Sequence, residues 1–235
     1  MKLHVLGCHG RFPPAGGAAI GYLVENKGKK LLMDCGSGVM GRLMRLCDPA
    51  DLEGVLLSHL HFDHASDMLV LRYYMEFAGK TLPVYVPGED DSSFRGLLTL
   101  PAFDVRPFPD TLEIAGLTVT NMPVRHPVPC RALRLTDGEK TLVYTGDTND
   151  CEGLAAFSEN ADLLLADAAF LADEWTDKKP HMSAPGAAKL AKEANAKALY
   201  LTHLPIEHEP ATLVKEAQAV YPRVQAAFPG LVISL

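Results

Sequence analysis

Apolar residues along the chain follow two patterns: short continuous or alternating runs, and segments in which they recur every three or four positions. The first pattern predicts strands and the second predicts helices. The predicted strands cover residues 2–7, 18–25, 30–34, 54–58, 83–87, two short stretches within 112–123, 131–136, 140–145, 161–167, 198–202 and 231–234. The predicted helices cover residues 39–46, 65–77, 90–98, 184–194 and 211–220. Because both halves of the chain contain strands and helices, we expect an α/β protein with two sheets packed face to face beneath outer helices.

The length and composition predict one compact domain spanning residues 1–235. Of the 235 residues, 48% are hydrophobic, which is enough for a sizeable core, and no low-complexity segment interrupts the chain. Five cysteines, an odd number without Cys-x-x-Cys spacing, are expected to be reduced thiols. The amino terminus does not resemble a signal peptide and no apolar stretch approaches membrane-spanning length, so we expect a cytoplasmic protein that does not enter membranes.

The formal net charge of −7 bears on the kind of partner. A general nucleic-acid binder normally presents a basic surface, so this charge argues against strong general nucleic-acid binding. It is compatible with a small phosphate ester held by local cations, for which Arg125, Lys178 and Lys179 are candidates.

The densest cluster of reactive side chains is the segment Ser58-His59-Leu60-His61-Phe62-Asp63-His64, which begins where the predicted strand 54–58 ends. Alternate residues of an extended backbone share a face, so His59 and His61 can bind one ion. Asp63 and His64 lie past the turn and can reach a second ion. Imidazole and carboxylate ligands without a thiolate are typical of a hydrolytic zinc site, or of a manganese or iron site under a different metal supply.

Other ligand-type residues follow predicted strands further along the chain. His126 ends one strand, although a single histidine in that position is by itself more often structural. Asp147 follows a glycine that permits a close backbone approach at a strand end, but an aspartate in a turn is also a common helix N-cap. His203 follows the last core strand. We interpret His9 as a hydrogen-bonded loop residue and Asp67 as a charge favoured at a helix N-terminus.

Together these residues resemble the signature of the metallo-β-lactamase superfamily, in which His-x-His-x-Asp-His is followed by a histidine, an aspartate and another histidine. The resemblance implies a four-layer αββα sandwich, with two mixed β-sheets flanked by helices and two Zn²⁺ ions at one end, or Mn²⁺ or iron in their place. By the same resemblance one metal is held by His59, His61 and His126, the other by Asp63, His64 and His203, and Asp147 bridges them. Two cations that share a water lower its pKa, and Asp63 beside that water can orient it or take its proton.

Within this superfamily the chain resembles the ribonuclease Z branch and its small bacterial relatives. The motifs that carry the resemblance are Leu32-Met33-Asp34-Cys35-Gly36, Ala161-Asp162-Leu163-Leu164-Leu165 and His181-Met182-Ser183. In that branch an acid and a loop histidine protonate the leaving oxygen of a phosphodiester, and Asp167 and His181 take those positions here. The resemblance therefore implies a zinc phosphodiesterase that acts on a small phosphate ester, a nucleotide or an RNA end. A homodimer is also expected, because members of the family often dimerise.

The chain departs from the branch in two places. The branch typically has His-Glu-Ala-Thr where this chain has Ala166-Asp167-Ala168-Ala169, so the carboxylate is one methylene shorter. The tRNA-processing members also carry a protruding arm between the ligands that correspond to His126 and Asp147. Here only twenty residues separate those two positions, and a predicted hairpin uses most of them. We therefore expect cleavage of precursor tRNA to be weak.

Three alternative functions remain open at this point. A zinc hydrolase of thioesters, lactones or other carboxylic substrates would need only the metals, and Asp167 and His181 would be incidental. A non-catalytic scaffold would keep the fold, but no ligand position has been replaced. A redox di-iron protein usually has glutamate where this chain has His61.

Overall fold

The computed structural model describes residues 1–99 and 101–235 and contains two seven-stranded β-sheets. The strands are β1 (Lys2–Gly7), β2 (Gly21–Asn26), β3 (Lys29–Cys35), β4 (Leu52–Leu56), β5 (Leu82–Val86), β6 (Phe103–Pro107), β7 (Thr111–Ile114), β8 (Leu117–Pro123), β9 (Arg131–Thr136), β10 (Thr141–Tyr144), β11 (Leu163–Asp167), β12 (Leu199–Thr202), β13 (Val224–Ala226) and β14 (Val232–Ser234). The helices are α1 (Val39–Leu43), α2 (Phe62–Ala65), α3 (Met68–Ala78), α4 (Ser93–Leu98), α5 (Leu154–Phe157), α6 (Ala184–Glu193) and α7 (Pro210–Gln218).

The two sheets form the inner layers of the molecule. The first has the strand order β14-β1-β2-β3-β4-β5-β6 and the second β13-β12-β11-β10-β9-β8-β7. Tyr22 of β2 and Tyr144 of β10 meet edge to face between the sheets, with ring centroids 5.3 Å apart. Helices α1 and α3 pack on the first sheet, and α6 and α7 pack on the second. The predicted four-layer αββα sandwich is therefore confirmed. Within the described ranges, no helix is both long enough and apolar enough to cross a lipid bilayer.

Parallel strands bring the candidate site together. Strands β3 to β6 run parallel in the first sheet, as do β10 to β13 in the second. A parallel strand covered on both faces is a continuous apolar run, and β11 has all five residues buried, including its terminal Asp167. Because the carboxyl ends of parallel strands lie at the same edge, polar residues at these ends gather at one end of the sandwich.

Three elements are absent from the sequence prediction. Strand β6 contains Asp104 and Arg106 and lies at the edge of the first sheet, so it lacks an apolar run. Strand β13, at the edge of the second sheet, has three residues, and helix α5 has four. Such short or polar elements depend on the sheet or helix beside them more than on their own pattern.

The predicted helix 65–77 corresponds to α3, which begins at Met68, and a separate short helix, α2, precedes it. Tertiary hydrogen bonds explain the break between the two helices. The carbonyl of Asp63 accepts from the N–H of Ile20 at 3.0 Å, and the N–H of Asp67 donates to the carbonyl of Cys35 at 2.9 Å. These bonds replace the one that a continuous helix would form between Asp63 and Asp67. The strand before the motif, β4, ends at Leu56, two residues before the predicted end at residue 58. The histidine-rich motif 59–64 is thus held against the first sheet through its backbone.

Gly36, directly after β3, is where this backbone contact is closest. A Cβ atom on Gly36 would lie 1.8 Å from the carbonyl oxygen of Asp63. We expect Gly36→Ala to push the motif away from the sheet and to lower the free energy of unfolding by about 1–3 kcal/mol, the usual cost of overpacking. Urea denaturation measures this change.

Gly41→Ala is the matched control for Gly36→Ala. Gly41 is exposed within α1, and a Cβ atom there would have nothing within 4 Å. Alanine should raise stability there by about 0.5–1 kcal/mol because it restricts the unfolded chain. Equal stabilities of the Gly36→Ala protein and the unchanged protein would contradict the contact that we describe.

Candidate metal centre

The seven side chains predicted as metal ligands lie together. Six of them follow the parallel strands β4, β10 and β12, and His126 follows β8, which is antiparallel to its neighbours. They form two groups that share Asp147, and within each group the candidate ligand atoms lie within 4.8 Å of one another. The first group comprises His59, His61, His126 and Asp147, and the second comprises Asp63, His64, Asp147 and His203. The structure therefore brings together every residue of the predicted set in the predicted division, while their role as ligands stays a prediction.

The first group is built from three imidazoles. His61 Nδ1 lies 3.1 Å from His59 Nε2 and 3.2 Å from His126 Nε2. Asp147 Oδ2 lies 3.6 Å from His59 Nε2. Four nitrogen and oxygen atoms thus converge on a space the size of one ion.

The second group converges on the same carboxylate oxygen. Asp147 Oδ2 lies 3.0 Å from His203 Nε2 and 3.2 Å from His64 Nε2. Asp63 Oδ2 lies 3.3 Å from His203 Nε2 and 3.7 Å from His64 Nε2. Because Asp147 Oδ2 is within reach of both groups, Asp147 has the position of a bridging ligand.

Unusual backbone conformations aim two of these side chains. His203 follows β12 with φ at 55°, a left-handed conformation that non-glycine residues rarely adopt. Its ring lies against Gly10, where a Cβ atom would be 2.2 Å from the imidazole. Gly146 precedes Asp147 with φ at 60°, and a Cβ atom there would lie 2.7 Å from the carbonyl oxygen of Arg131. Gly10 thus makes room for the ring of His203, and Gly146 lets the chain before Asp147 pass close to the backbone of Arg131.

Asp34 is a buried part of the site that the sequence analysis did not assign. Its carboxylate accepts hydrogen bonds from the Ser58 N–H at 2.7 Å, the Ser58 hydroxyl at 2.8 Å and the Tyr144 hydroxyl at 2.9 Å. It also accepts from His64 Nδ1 at 2.9 Å, which leaves His64 Nε2 directed at the second group. The sequence feature that could have marked Asp34 is an acidic residue near the end of an apolar strand, the same feature that Asp167 shows.

Burial and charge set the protonation of the imidazoles. Burial lowers the pKa of His59 well below its ordinary value and that of His126 to about 4, so both rings are neutral with lone pairs for a cation. Burial also opposes protonation of His64, but the carboxylates of Asp147 and Asp34 outweigh it and raise the pKa of His64 to about 10. The second group therefore attracts positive charge, and a metal bound there would replace a proton.

The donor atoms at the centre fit divalent metal ions. His64 Nε2, His203 Nε2 and Asp147 Oδ1 are buried without a hydrogen-bond partner, which is costly unless another partner satisfies them. Imidazole nitrogens and carboxylate oxygens, with no thiolate among them, suit zinc, manganese or iron. The residues present can therefore hold two such ions.

Asp167 and His181 form a hydrogen-bonded pair beside the second group. Asp167 Oδ2 accepts from His181 Nδ1 at 2.7 Å and from the Thr148 N–H at 3.0 Å. The His181 ring stacks on His203 with centroids 4.4 Å apart and keeps 14% of its side chain exposed. Although aspartate is one methylene shorter than glutamate, it reaches the histidine here.

Two other polar residues lie outside the centre. His9 Nδ1 donates to the carbonyl of Ala18 at 3.3 Å. Asp67 Oδ2 accepts from the N–H of Met40 at 2.9 Å, in the first turn of α1. The predicted helix-terminal role of Asp67 thus concerns α1 and not the helix that follows it in the chain.

Comparison with known proteins places the chain in a family. A family model described as the beta-lactamase superfamily domain matches residues 29–204. The probable metallo-hydrolase YhfI of Bacillus subtilis is 39% identical over 229 residues, which cover 94% of each chain. The crystal structure of YhfI, a metallo-beta-lactamase fold protein, aligns with a TM-score of 0.94 and 37% identity over 99% of this chain and 98% of that chain.

Less similar proteins include some that are named as ribonucleases. A ribonuclease Z of Methanopyrus kandleri is 29% identical over 276 residues, covering 99% of this chain and 97% of the relative. The crystal structure of the short form of human tRNase Z has a TM-score of 0.79 and 20% identity, covering 100% of this chain and 99% of that chain, a likeness of fold alone. The family match and the identity with YhfI show that this chain belongs to the beta-lactamase superfamily, as its histidine motif predicted.

Proposed function

We propose that this metallo-hydrolase is a phosphodiesterase that uses two divalent metal ions, most simply zinc. The observation that carries the proposal is the Asp167–His181 pair, joined at 2.7 Å beside the candidate metal centre. Cleavage of a phosphodiester expels an alkoxide, which needs a proton in the transition state. Hydrolysis of a thioester expels a thiolate, which departs without a proton, so it does not require this pair in the same way.

The candidate ligands would hold the two ions in the division described above. When bound, such a pair would supply Lewis acidity and would lower the pKa of the attacking water. Asp63 Oδ2 accepts from the N–H of Arg11 at 2.7 Å and so has a fixed orientation. We assign Asp63 the task of orienting the attacking water and accepting its proton.

His181 has the geometry of a general acid. Its Nδ1 donates to the buried carboxylate of Asp167, so Nε2 can carry a proton to the leaving oxygen. Asp167 fixes the tautomer and stabilises the charged ring. The name of the ribonuclease Z relative supports a phosphodiester substrate. Only β9 and β10 lie between His126 and Asp147, so we propose a small phosphate ester, a nucleotide or an RNA end in place of precursor tRNA.

Metal-loaded protein tested against a panel of substrates will check this function. We expect elemental analysis to find two metal ions per chain. We also expect kcat/KM to be about tenfold or more higher for the diester bis(p-nitrophenyl) phosphate than for the monoester p-nitrophenyl phosphate. The reason is that two cations and one proton donated to the leaving group suit a substrate with a single negative charge. Thioesters and lactones should react more slowly. Activity confined to carboxylic substrates, or equal turnover of the monoester and the diester, would overturn the proposal.

A further inference from the structure

A cavity of about 330 Å³ opens beside His181 and His203 and continues towards the surface past Phe170, Lys179 and Arg11. A second cavity of about 340 Å³ shares those last three residues and extends the space to Glu174 and Glu207. We call the first cavity the leaving-group pocket, because the general acid His181 lines it. Whatever is attached to the leaving oxygen must lie on this side of the metal centre.

The charged groups around this pocket differ in whether they already pair with an opposite charge. Arg11 pairs with Glu207 at 2.8 Å, and His208 pairs with Glu174 at 2.8 Å. Lys179 Nζ lies 4.8 Å from the centroid of the Phe170 ring, and within residues 1–99 and 101–235 it has no carboxylate oxygen within 4.0 Å. Lys179 is therefore the cation of the leaving-group pocket that is available to an anion.

The backbone holds Lys179 in place. Its N–H donates to the carbonyl of Thr176 at 3.0 Å, and its own carbonyl accepts from the side-chain amide of the buried Asn149 at 2.7 Å. The Phe170 ring, whose centroid is 6.2 Å from that of His181, supports the lysine stem and also offers a flat apolar surface. A sugar or a base behind the leaving oxygen can pack on such a surface.

We propose that Lys179 binds a second anionic group on the leaving portion of the substrate. The substrate class is then a phosphodiester whose leaving alcohol itself carries a phosphate, such as a terminally phosphorylated dinucleotide. This inference rests on the proposed phosphodiesterase function. It assigns Lys179 to substrate specificity and not to the chemical step.

The neighbouring lysine provides a matched control. Lys178 is exposed and does not line the leaving-group pocket, whereas Lys179 is half-buried within it. Arg125, the third candidate cation, pairs with Asp177 at 3.0 Å. Lys179→Ala and Lys178→Ala thus remove the same charge from adjacent positions, of which only Lys179 lines the pocket.

The test uses three dinucleotides: TpT, pTpT with an added phosphate on the first nucleoside, and TpTp with an added phosphate on the second. Product analysis shows which nucleoside leaves without the scissile phosphate. We expect the unchanged enzyme to favour the form whose added phosphate is on that leaving nucleoside. Lys179→Ala should raise the KM for that form about tenfold or more and leave kcat unchanged. The substitution removes a charge-assisted contact that stabilises the bound substrate and the transition state equally. Its KM for TpT should not change, and Lys178→Ala should behave as the unchanged enzyme does on all three.

The possible outcomes separate this inference from the proposed function. Hydrolysis of TpT without a preference for either phosphorylated form, or a preference that survives Lys179→Ala, overturns the role of Lys179 and leaves the phosphodiesterase standing. A preference for the form phosphorylated on the other nucleoside also overturns it. If the metal-loaded enzyme hydrolyses none of the three but does hydrolyse thioesters or lactones, the proposed function fails and the role of Lys179 fails with it.

Discussion

Replacement of His181 by alanine is expected to lower kcat on a dinucleotide by about a hundred- to ten-thousandfold, the usual contribution of a general acid. The ring donates to Asp167 at 2.7 Å and lies against His203. It is not among the seven predicted ligands, although its ligand-type atoms lie within 4.8 Å of those of Asp167 and His203. The metal content of the His181→Ala protein should therefore equal that of the unchanged protein. Elemental analysis beside steady-state kinetics measures both quantities.

The loss should depend on the leaving group. A ribose alkoxide needs a proton as it departs, whereas nitrophenolate is stable without one. His181→Ala should therefore lose much less activity on bis(p-nitrophenyl) phosphate than on a dinucleotide. If His181 only shapes the loop before α6, both substrates should suffer equally or neither should. An equal loss on the two substrates, with metals still bound, would refute the general-acid role.

His208 offers a control for this experiment. It also pairs with a carboxylate, that of Glu174 at 2.8 Å, but it does so at the outer end of the cavities, away from the candidate ligands. His208→Ala should leave kcat on both substrates within about twofold, as expected for a surface pair of small energetic worth. If His208→Ala caused a large loss of kcat that depended on the leaving group, a histidine other than His181 would supply the proton to the leaving oxygen.

Local signals in the sequence were sufficient for the main strands and for the cluster of candidate ligands in the segment 59–64, whereas the family resemblance was needed to assign His126, Asp147 and His203. A buried parallel strand is an apolar run, and the polar residues within a few positions after it lie at the edge of the sheet where sites form. His59, Asp147 and His203 all stand in that relation to a strand. The His-x-His-x-Asp-His motif then indicated the family, and the family match bears it out.

Contacts between distant parts of the chain were not predictable in this way. Tyr144 binds Asp34 from 110 residues further along the chain, and no local pattern marks either residue as part of one network. The same holds for the cations: Arg125, Lys178 and Lys179 are equivalent in sequence, and only the structure shows that Lys179 lines the leaving-group pocket. The break between α2 and α3 also depends on bonds to Ile20 and Cys35, which are distant in sequence.

Asp34 joins these distant contacts to the metal centre. Its carboxylate is fully buried and accepts from Ser58, Tyr144 and His64, so it fixes the ring of His64 with Nε2 towards the second group. A residue that orients a ligand in this way commonly changes metal affinity by about ten- to a hundredfold when it is replaced. Asp34 is therefore the residue outside the predicted ligand set whose replacement should most affect metal binding.

Asp34→Asn tests this role because it keeps the size of the side chain. The amide presents an N–H₂ group, which cannot accept a hydrogen bond, to groups that donate to the carboxylate of Asp34. His64 therefore loses its fixed orientation. We expect zinc affinity to fall by about ten- to a hundredfold in competition with a chromophoric chelator. Activity should return when zinc is in excess, because the ligands themselves remain. The visible spectrum of the cobalt-substituted protein should also change, a readout that loss of stability alone would not alter.

Tyr144→Phe separates the orienting role of Asp34 from its structural role. It removes one of the hydrogen bonds to the carboxylate but keeps the charge and the contact with His64. It should lower stability by about 1 kcal/mol, the net worth of one hydrogen bond, while zinc affinity falls by less than about tenfold. If Asp34→Asn binds zinc as tightly as the unchanged protein, or if both variants lose affinity only in proportion to their loss of stability, then Asp34 supports the fold and does not orient His64 for the metal.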